Sequence, residues 1–319
     1  MADTGRGSGP DAQWPALPLA EWEPTRDTVQ LWTQMVGKVR MANTALINHW
    51  WNVTLYVTAR GLTTSLIPRA DGPNFQVDFD FLAHQLDIVT STGDQASIRL
   101  ESQPVASFYA QFMDCLNRLG LGTDIWPMPV EIEGAIPFVD DEVHGTYDPD
   151  QAQRFWRMLV QSTRVLVEFR GRFLGKVSPV HLFWGGLDLA VTRFSGRTAP
   201  PYQASPPNCG PQVMHEAYSQ EVSSCGYWPG GDGEGLFYAY AYPEPPGFRD
   251  APAAPGSTYS DELGEFVLPY DTMRAAADPD RLLLDFLQAS YEAAAINGGW
   301  DRGTLERQPS PLPLRPPAS

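Results

Sequence analysis

Cysteine is scarce in this 319-residue chain. Cys115, Cys209 and Cys225 are all it has, too few and too scattered for a disulfide framework, and no CxxC spacing marks a cysteine-rich zinc site. Reduced thiols in a cytoplasm are the expectation. Basic residues are outnumbered, 22 against 38 acidic, for a net charge of −16. That balance argues against a nucleic-acid backbone or an anionic membrane as partner, since both require cationic surface; the charge serves solubility. The first 20 residues lack a basic stretch leading into an apolar one, so no secretory signal is expected. No run approaches the roughly 20 apolar residues that span a bilayer. The run Trp228-Pro229-Gly230-Gly231-Asp232-Gly233-Glu234-Gly235 is acidic and precedes a strand, so it is not a phosphate loop and no nucleotide cofactor is expected. Ser195 lacks a GxSxG frame, which leaves no serine-hydrolase triad. A cytoplasmic protein with a small-molecule partner is expected, its oligomeric state open.

Aromatic residues are what the chain does have. Phe, Trp and Tyr make up 12% of it, with 10 tryptophans, and charged residues only 19%, a composition that builds a sizeable core. Thr25 caps a first helix running to Ala45, with Val29, Trp32, Met35, Val36 and Val39 in one stripe. Pro104 opens a second, with Val105, Phe108, Phe112 and Leu116 on one face and Gly120 as its stop. Asp148-Pro149 opens a third that runs to Leu174, and Asp278-Pro279 a fourth that stops at Gly298-Gly299. Strands are predicted over Trp50–Arg60, Phe75–Phe81, Leu86–Thr90, Ser97–Glu101 and Thr123–Trp126. A second group covers Phe183–Arg193, Tyr218–Tyr227, Leu236–Tyr242 and Glu265–Leu268. Turns such as Ser91-Thr92-Gly93-Asp94 imply antiparallel pairing.

The expected fold class is therefore α+β: two pseudo-repeated helix–four-strand–helix halves whose antiparallel sheets pack under long helices. The halves span 14–126 and 148–305, joined by a Pro-rich connection over 127–147. Residues 1–13 and 306–319 read as disordered ends. The repeat rests on a helix that leads to a histidine, His49 or His181, and then to an apolar strand ending at Thr58-Ala59-Arg60 or Thr192-Arg193.

Candidate chemistry begins with those histidines. In an unbroken strand, His181 lies with Phe183, Leu187 and Leu189, while Trp184, Asp188 and Thr192 face the other way; His49 lies with Trp51, Val53 and Leu55. A neutral imidazole there serves as a metal ligand, a general base or a hydrogen-bonded structural group. Glu221 shares a face with Ser219, Ser223 and Cys225 and would complete a site for Fe, Zn or Mn with His49 and His181. No HExxH, HxH or HxD spacing is present, so such a site must be assembled from distant segments, and a solvated edge glutamate is the plainer alternative.

Arg193 and Arg60 close the two strands, suited to an anionic ligand or to an ion pair with one of the many acids. Asp188, between Leu187 and Leu189, needs a partner and would act as a base only with a raised pKa. The run Phe237-Tyr238-Ala239-Tyr240-Ala241-Tyr242 puts three tyrosines on one face. Tyr238 and Tyr240, with Tyr218, Trp50, Trp184 and Arg60, are candidates to line a ligand cavity or to form ordinary aromatic core.

Several long motifs, among them Asn48-His49-Trp50-Trp51, Gly175-Lys176-Val177-Ser178-Pro179-Val180-His181, Ser223-Ser224-Cys225-Gly226-Tyr227-Trp228-Pro229-Gly230-Gly231 and Tyr238-Ala239-Tyr240-Ala241-Tyr242-Pro243-Glu244-Pro245, resemble an uncharacterised bacterial family, domain of unknown function 5996. The similarity covers about Trp14 to Glu306. The resemblance implies no reaction, so it assigns no catalytic residue. Similar proteins often carry His-Pro-Gly-Gly where this chain reads Pro201-Tyr202-Gln203-Ala204. The leading expectation is an enzyme acting on a small, partly aromatic or apolar molecule between the halves, with His49, His181, Asp188, Arg193 and Glu221 as its chemistry. A non-catalytic binding protein with structural histidines is the alternative, and a scaffold protein comes third.

Overall fold

A computed structural model describes residues 13–307. Its elements follow the sequence wherever a cap and an apolar stripe coincide. Helix α1 (Leu19–Asn43) begins ahead of Thr25, whose buried hydroxyl instead accepts from the Asp148 N–H at 2.9 Å. Helix α2 spans Val105–Arg118. In α3 (Pro149–Gly171) the Asp148 carboxylate accepts from the N–H groups of Asp150 and Gln151, and in α6 (Pro279–Asn297) Asp278 accepts from that of Arg281, as side-chain N-caps do. Three short helices complete the set among the described residues: α4 (Pro211–Ala217), α5 (Tyr270–Arg274) and α7 (Arg302–Leu305). No helix among them is long and apolar enough to cross a membrane.

The strands form two antiparallel sheets, so the α+β class holds. The first is a meander of β1 (Tyr56–Val57), β2 (Gly61–Thr63), β3 (Phe75–Asp80), β4 (Gln85–Thr90) and β5 (Gln95–Arg99), in that spatial order. The second comprises β6 (His181–Phe183), β7 (Asp188–Thr198), β8 (Gln220–Trp228), β9 (Leu236–Tyr242), β10 (Thr258–Ser260) and β11 (Glu265–Pro269), in the order β10-β11-β9-β8-β7-β6. Leu55, just before β1, exchanges both backbone hydrogen bonds with Leu182 of β6, at 2.8 and 2.9 Å. This one antiparallel bridge joins the sheets.

Two predicted strands are broken, and both breaks matter. Trp50–Arg60 is extended only at β1; before it, Asn48–Trp50 forms a 3₁₀ turn with His49 at φ 57° and Trp50 at φ 61°. Phe183–Arg193 is interrupted by Gly185-Gly186 and by Leu187 at φ 59°, so β6 and β7 are a hairpin in which Phe183 pairs with Asp188 and His181 with Ala190. Directly paired residues share a face, so His181 and Asp188 lie on the same side, contrary to the expected parity. Thr123–Trp126 forms no strand, and Tyr218 precedes β8 as the end of α4. The halves thus hold five and six strands instead of four each, and the two histidines occupy unlike local structures. No internal duplication is established by this arrangement.

One hydrophobic core runs through both halves. Trp32 of α1 stacks on Phe108 of α2 at 4.3 Å, and Trp22 meets Phe155 of α3 at a tilt, 5.0 Å between ring centres. Helices α3 and α6 cover the face of the second sheet that carries Leu189, Val191, Arg193, Tyr227 and Phe237. At the C-terminal end, Glu306 bridges to Phe173 and the Arg307 N–H donates to the Arg172 carbonyl. Residues 1–12 and 308–319, where loose ends were expected, lie outside the described residues.

Trp184 in the β6–β7 turn crosses α1 over Gly37 and donates to the Val53 carbonyl at 2.8 Å. A Cβ on Gly37 would fall 2.0 Å from the Trp184 indole nitrogen. Gly37→Ala should therefore displace this ring and lower the unfolding free energy by about 1–3 kcal/mol, as overpacked cores do; urea titration followed by tryptophan fluorescence measures both effects.

Candidate functional site

The opposite face of the second sheet is polar, and its small residues make that possible. Asp188, Ala190 and Thr192 of β7, Ser224 and Gly226 of β8, and Tyr238 and Tyr240 of β9 share it by register. A Cβ on Gly226 would meet the Tyr238 hydroxyl at 2.9 Å. Because none is there, Tyr238 lies across β8 and donates to Asp188 Oδ2 at 2.5 Å. The Tyr240 and Tyr218 hydroxyls meet at 3.0 Å, and Tyr202 stacks on Tyr218 at 4.4 Å. Burial raises the pKa of Tyr218, Tyr238 and Tyr240, so all three remain hydrogen-bond donors at neutral pH.

The connection after α2 folds over the end of this face. Buried Gln34 of α1 holds it in place: its side-chain oxygen accepts from Val130 N–H at 2.9 Å, and its nitrogen donates to the Val130 carbonyl at 2.9 Å. Gln30 donates to Gly185 O at 2.5 Å, tying the β6–β7 turn to the same helix. The next residue, Glu131, has φ 61° and donates its N–H to Pro207 O at 2.8 Å. Its carboxylate occupies space left by two glycines. A Cβ on Gly185 would fall 2.2 Å from Glu131 Oε1; one on Gly186 would meet Asp188 Oδ1 at 3.4 Å and Glu131 Oε2 at 3.7 Å. The two carboxylates therefore converge over Gly186.

Among the described residues, no arginine or lysine pairs with either carboxylate. Glu131 is solvent-exposed even though protein fills much of the volume around its carboxylate. Burial, then the Asp188 charge, pushes the Glu131 carboxyl up. Burial also raises Asp188, against the opposing Tyr238 hydrogen bond. Glu265 at the start of β11 is raised by burial and by the Asp188 charge. The Tyr238 hydrogen bond favours the ionised form of Asp188, and the Asp188 charge adds to the upward push on Glu131 and Glu265.

A pocket of about 460 Å³ opens onto Glu131, lined by Gln30 and Leu31 of α1, Ile132 and Ile136 of the connection, Gly186, and Trp228 after β8. The volume falls in the range of small-molecule sites. At its rim Arg26 is already neutralised by Asp27 at 2.7 Å and Glu23 at 3.2 Å.

Lys38 lies one helical turn beyond Gln34. It is 2% exposed, and its ammonium sits 5.2 Å from the Trp126 ring centre and 5.9 Å from that of Trp184. No hydrogen bond or ion pair to a described residue reaches it. Burial pushes its pKa down to about 8, opposed by the neighbouring Cys209 thiol. Cys209 is in turn raised by burial and by Glu131, so a continuous set of titratable groups runs from Lys38 to Asp188.

The candidates named from sequence divide clearly. Asp188, Tyr218, Tyr238 and Tyr240 come together on the polar face. His49, His181 and Glu221 do not converge. His49 Nε2 faces the Lys176 ammonium at 2.6 Å. His181 is fully buried with Nδ1 3.1 Å from Thr54 Oγ1, and its Nε2 has no partner; burial and the Arg40 and Arg170 charges push its pKa down to about 3. Glu221 accepts from Ser195 at 2.8 Å and pairs with Arg197 at 2.6 Å, which also reaches the end of α6 through Gly298 O. Among the described residues, no three His, Cys, Asp or Glu side chains are placed to hold a metal ion.

Arg193 is core, not an anion receptor. Its guanidinium lies 3.5 Å from the Phe169 ring centre and 4.2 Å from that of Tyr291, and it donates to the Phe169 carbonyl at the end of α3. Arg60 pairs with Asp80 at 2.5 Å, and Trp50 donates to Val213 O at 3.0 Å on α4; neither borders the polar face. Trp184 lines the Lys38 side. Glu131, Glu265, Lys38 and Cys209 were not anticipated. One signal for Lys38 was available, because only two of the 22 Lys and Arg residues are lysines.

The fold defines an α+β protein with a pocket between its first helix, the connection after α2 and the loops at one end of the second sheet. The chain belongs to the family of unknown function DUF5996, whose model matches residues 14–307. No curated protein and no solved structure matches it.

A lysine with a depressed folded pKa binds fewer protons folded than unfolded between about 8 and the ordinary 10.4. Lys38→Met should therefore be more stable than the natural chain at pH 7, by up to about 3 kcal/mol less whatever the two indole faces return. The gap should close as pH rises from about 8 to about 10. Urea unfolding of both proteins at pH 7 and pH 10 measures it.

Proposed function

We propose that this protein is a cytoplasmic enzyme that acts on a small, partly apolar molecule by general acid–base chemistry at the Glu131–Asp188 pair. The convergence of two carboxylates over Gly186 without a cationic partner among the described residues, beside a 460 Å³ pocket that Glu131 and Gly186 line, is the observation that carries this reading. A carboxyl kept protonated near neutral pH by a charged neighbour is suited to donate a proton to a leaving group or carbonyl oxygen and then to take one back. Glu131 is the proton donor, with its accessible face toward the pocket. Asp188 holds the negative charge and is itself fixed by Tyr238. Leu31, Ile132, Ile136 and Trp228 supply apolar walls for the body of the substrate. The three unpaired cysteines fit a reducing compartment.

The test is a small-molecule screen by thermal shift, followed by turnover assays of the hits on the natural chain, Glu131→Gln and Asp188→Asn. Hits should bind all three proteins, and turnover should fall about 100-fold or more in Glu131→Gln. In Asp188→Asn the alkaline limb of the pH–rate profile should move to lower pH, because the charge that raises the proton donor Glu131 is gone. Binding without turnover in the natural chain would make this a binding protein. Turnover indifferent to Glu131→Gln would place the chemistry elsewhere.

A further inference from the structure

Lysine is nearly absent from this chain, and both copies are placed where an arginine is not used. Twenty arginines supply the remaining basic residues and, with His144, make the described ion pairs. Neither Lys38 nor Lys176 has a carboxylate within ion-pair distance among the described residues. The guanidinium of arginine stays charged, whereas an amine loses its proton when burial or a neighbour favours it.

Lys176 lies half-buried between the end of α3 and β7. Its Nζ is 2.6 Å from His49 Nε2 and 3.0 Å from Gln220 Oε1. It rests 4.6 Å from the Phe194 ring centre and 5.6 Å from that of Trp51. The tautomer of His49 follows from its other nitrogen. Nδ1 faces the Ala217 carbonyl at 3.0 Å, which only accepts, so Nδ1 carries the hydrogen and Nε2 presents a lone pair to the lysine. An amine, a base within hydrogen-bond reach and a third group that orients the base are the components of an activated nucleophile.

The backbone supports this arrangement at some cost. His49 and Trp50 are consecutive non-glycine residues in the left-handed region, which costs on the order of 1–3 kcal/mol each. The turn is held there by the His49 N–H donating to Glu216 Oε1 at 3.1 Å and by Trp50 on Val213. Burial lowers the pKa of both Lys176 and His49. The Glu216 charge opposes this in each, and the Lys176 charge adds to the lowering of His49.

We propose that Lys176 and His49 form a carbonyl-reactive amine, a second reactive centre apart from the Glu131 pocket, whose substrate class is a small aldehyde or ketone with an apolar body. His49 Nε2 takes a proton from the Lys176 ammonium. The free amine attacks the carbonyl carbon, forming the C–N bond, and the carbonyl oxygen receives a proton from the imidazolium. The carbinolamine then loses its hydroxyl as water, using the second nitrogen proton, and leaves a C=N bond to Lys176. Trp51, partly exposed beside the ammonium, offers its ring to the apolar body.

The probe is benzaldehyde with cyanoborohydride, which reduces any imine to a stable benzylamine, on the full-length protein at pH 7. Peptide mass mapping has only Lys38, Lys176 and the terminal amine to distinguish. Lys176 should be labelled at least about tenfold faster than the terminal amine, and His49→Asn should remove most of that advantage; Asn tolerates the left-handed backbone. In the natural chain the pH–rate midpoint for Lys176 should lie well below that of a free lysine, about 10.4, and this readout stands even where His49→Asn fails to fold. Labelling of Lys176 no faster than the terminal amine, an ordinary lysine midpoint, or an unchanged rate in a folded His49→Asn protein would overturn the proposal. Glu131→Gln should leave the labelling unchanged, so the two sites succeed or fail separately.

Discussion

Two hydrogen bonds between Leu55 and Leu182 hold this architecture together. Each sheet ends at a short strand with an unpaired edge, β1 in the first and β6 in the second, and an open edge is unstable unless paired or covered. Joining them brings the Trp51–Tyr56 segment over His181 and sets α1 across the β6–β7 turn. From that position Gln30 and Gln34 reach Gly185 and Val130. The pocket exists only because the helix of one half and the turn of the other are fixed side by side.

A polar sheet face buried under loops is costly unless its groups satisfy one another. Here the hydroxyls do so in pairs: Thr192 and Ser224 at 2.8 Å, Tyr218 and Tyr240 at 3.0 Å, Tyr238 and Asp188 at 2.5 Å. Glu131 stands apart, with water on one side and Asp188 on the other. Its position depends on residues without side chains, since any Cβ on Gly185 would occupy it. The same economy of space operates at Gly37, where an indole takes the room of a side chain, and at Gly226, where a tyrosine does. Aromatic rings and carboxylates are thus located by glycines distant from them in sequence. His181 is the counter-case. It lies on this face, yet Thr54 bonds its Nδ1, and burial with the Arg40 and Arg170 charges pushes its pKa down to about 3, which leaves it neutral.

Local signals were sufficient for much of the fold. Asp148-Pro149 and Asp278-Pro279 opened their helices where expected because an Asp cap followed by proline satisfies its own helix end with no help from elsewhere. Leu236–Tyr242 came out as a strand with its tyrosines on one face because alternation is intrinsic to an extended chain. Asp188, Tyr218, Tyr238 and Tyr240 were legible for the same reason: a carboxylate within an apolar run and an alternating tyrosine row stand out. The metal trio did not come together, because nothing local fixes the distance between His49, His181 and Glu221, and each met a nearer partner.

By itself the sequence determined the α+β class, the principal helices, the tyrosine face and the family, since these depend on periodicity, capping and motifs read over a few consecutive residues. Tertiary structure alone decided where the strands break, that His181 turns to the side of Asp188, and that Glu131 meets Asp188 and Lys176 meets His49. Those outcomes depend on close approach between segments more than 50 residues apart. A hairpin at Gly185-Gly186, a left-handed His49 and a carboxylate seated over glycine are stable only when the packing around them excludes the alternatives.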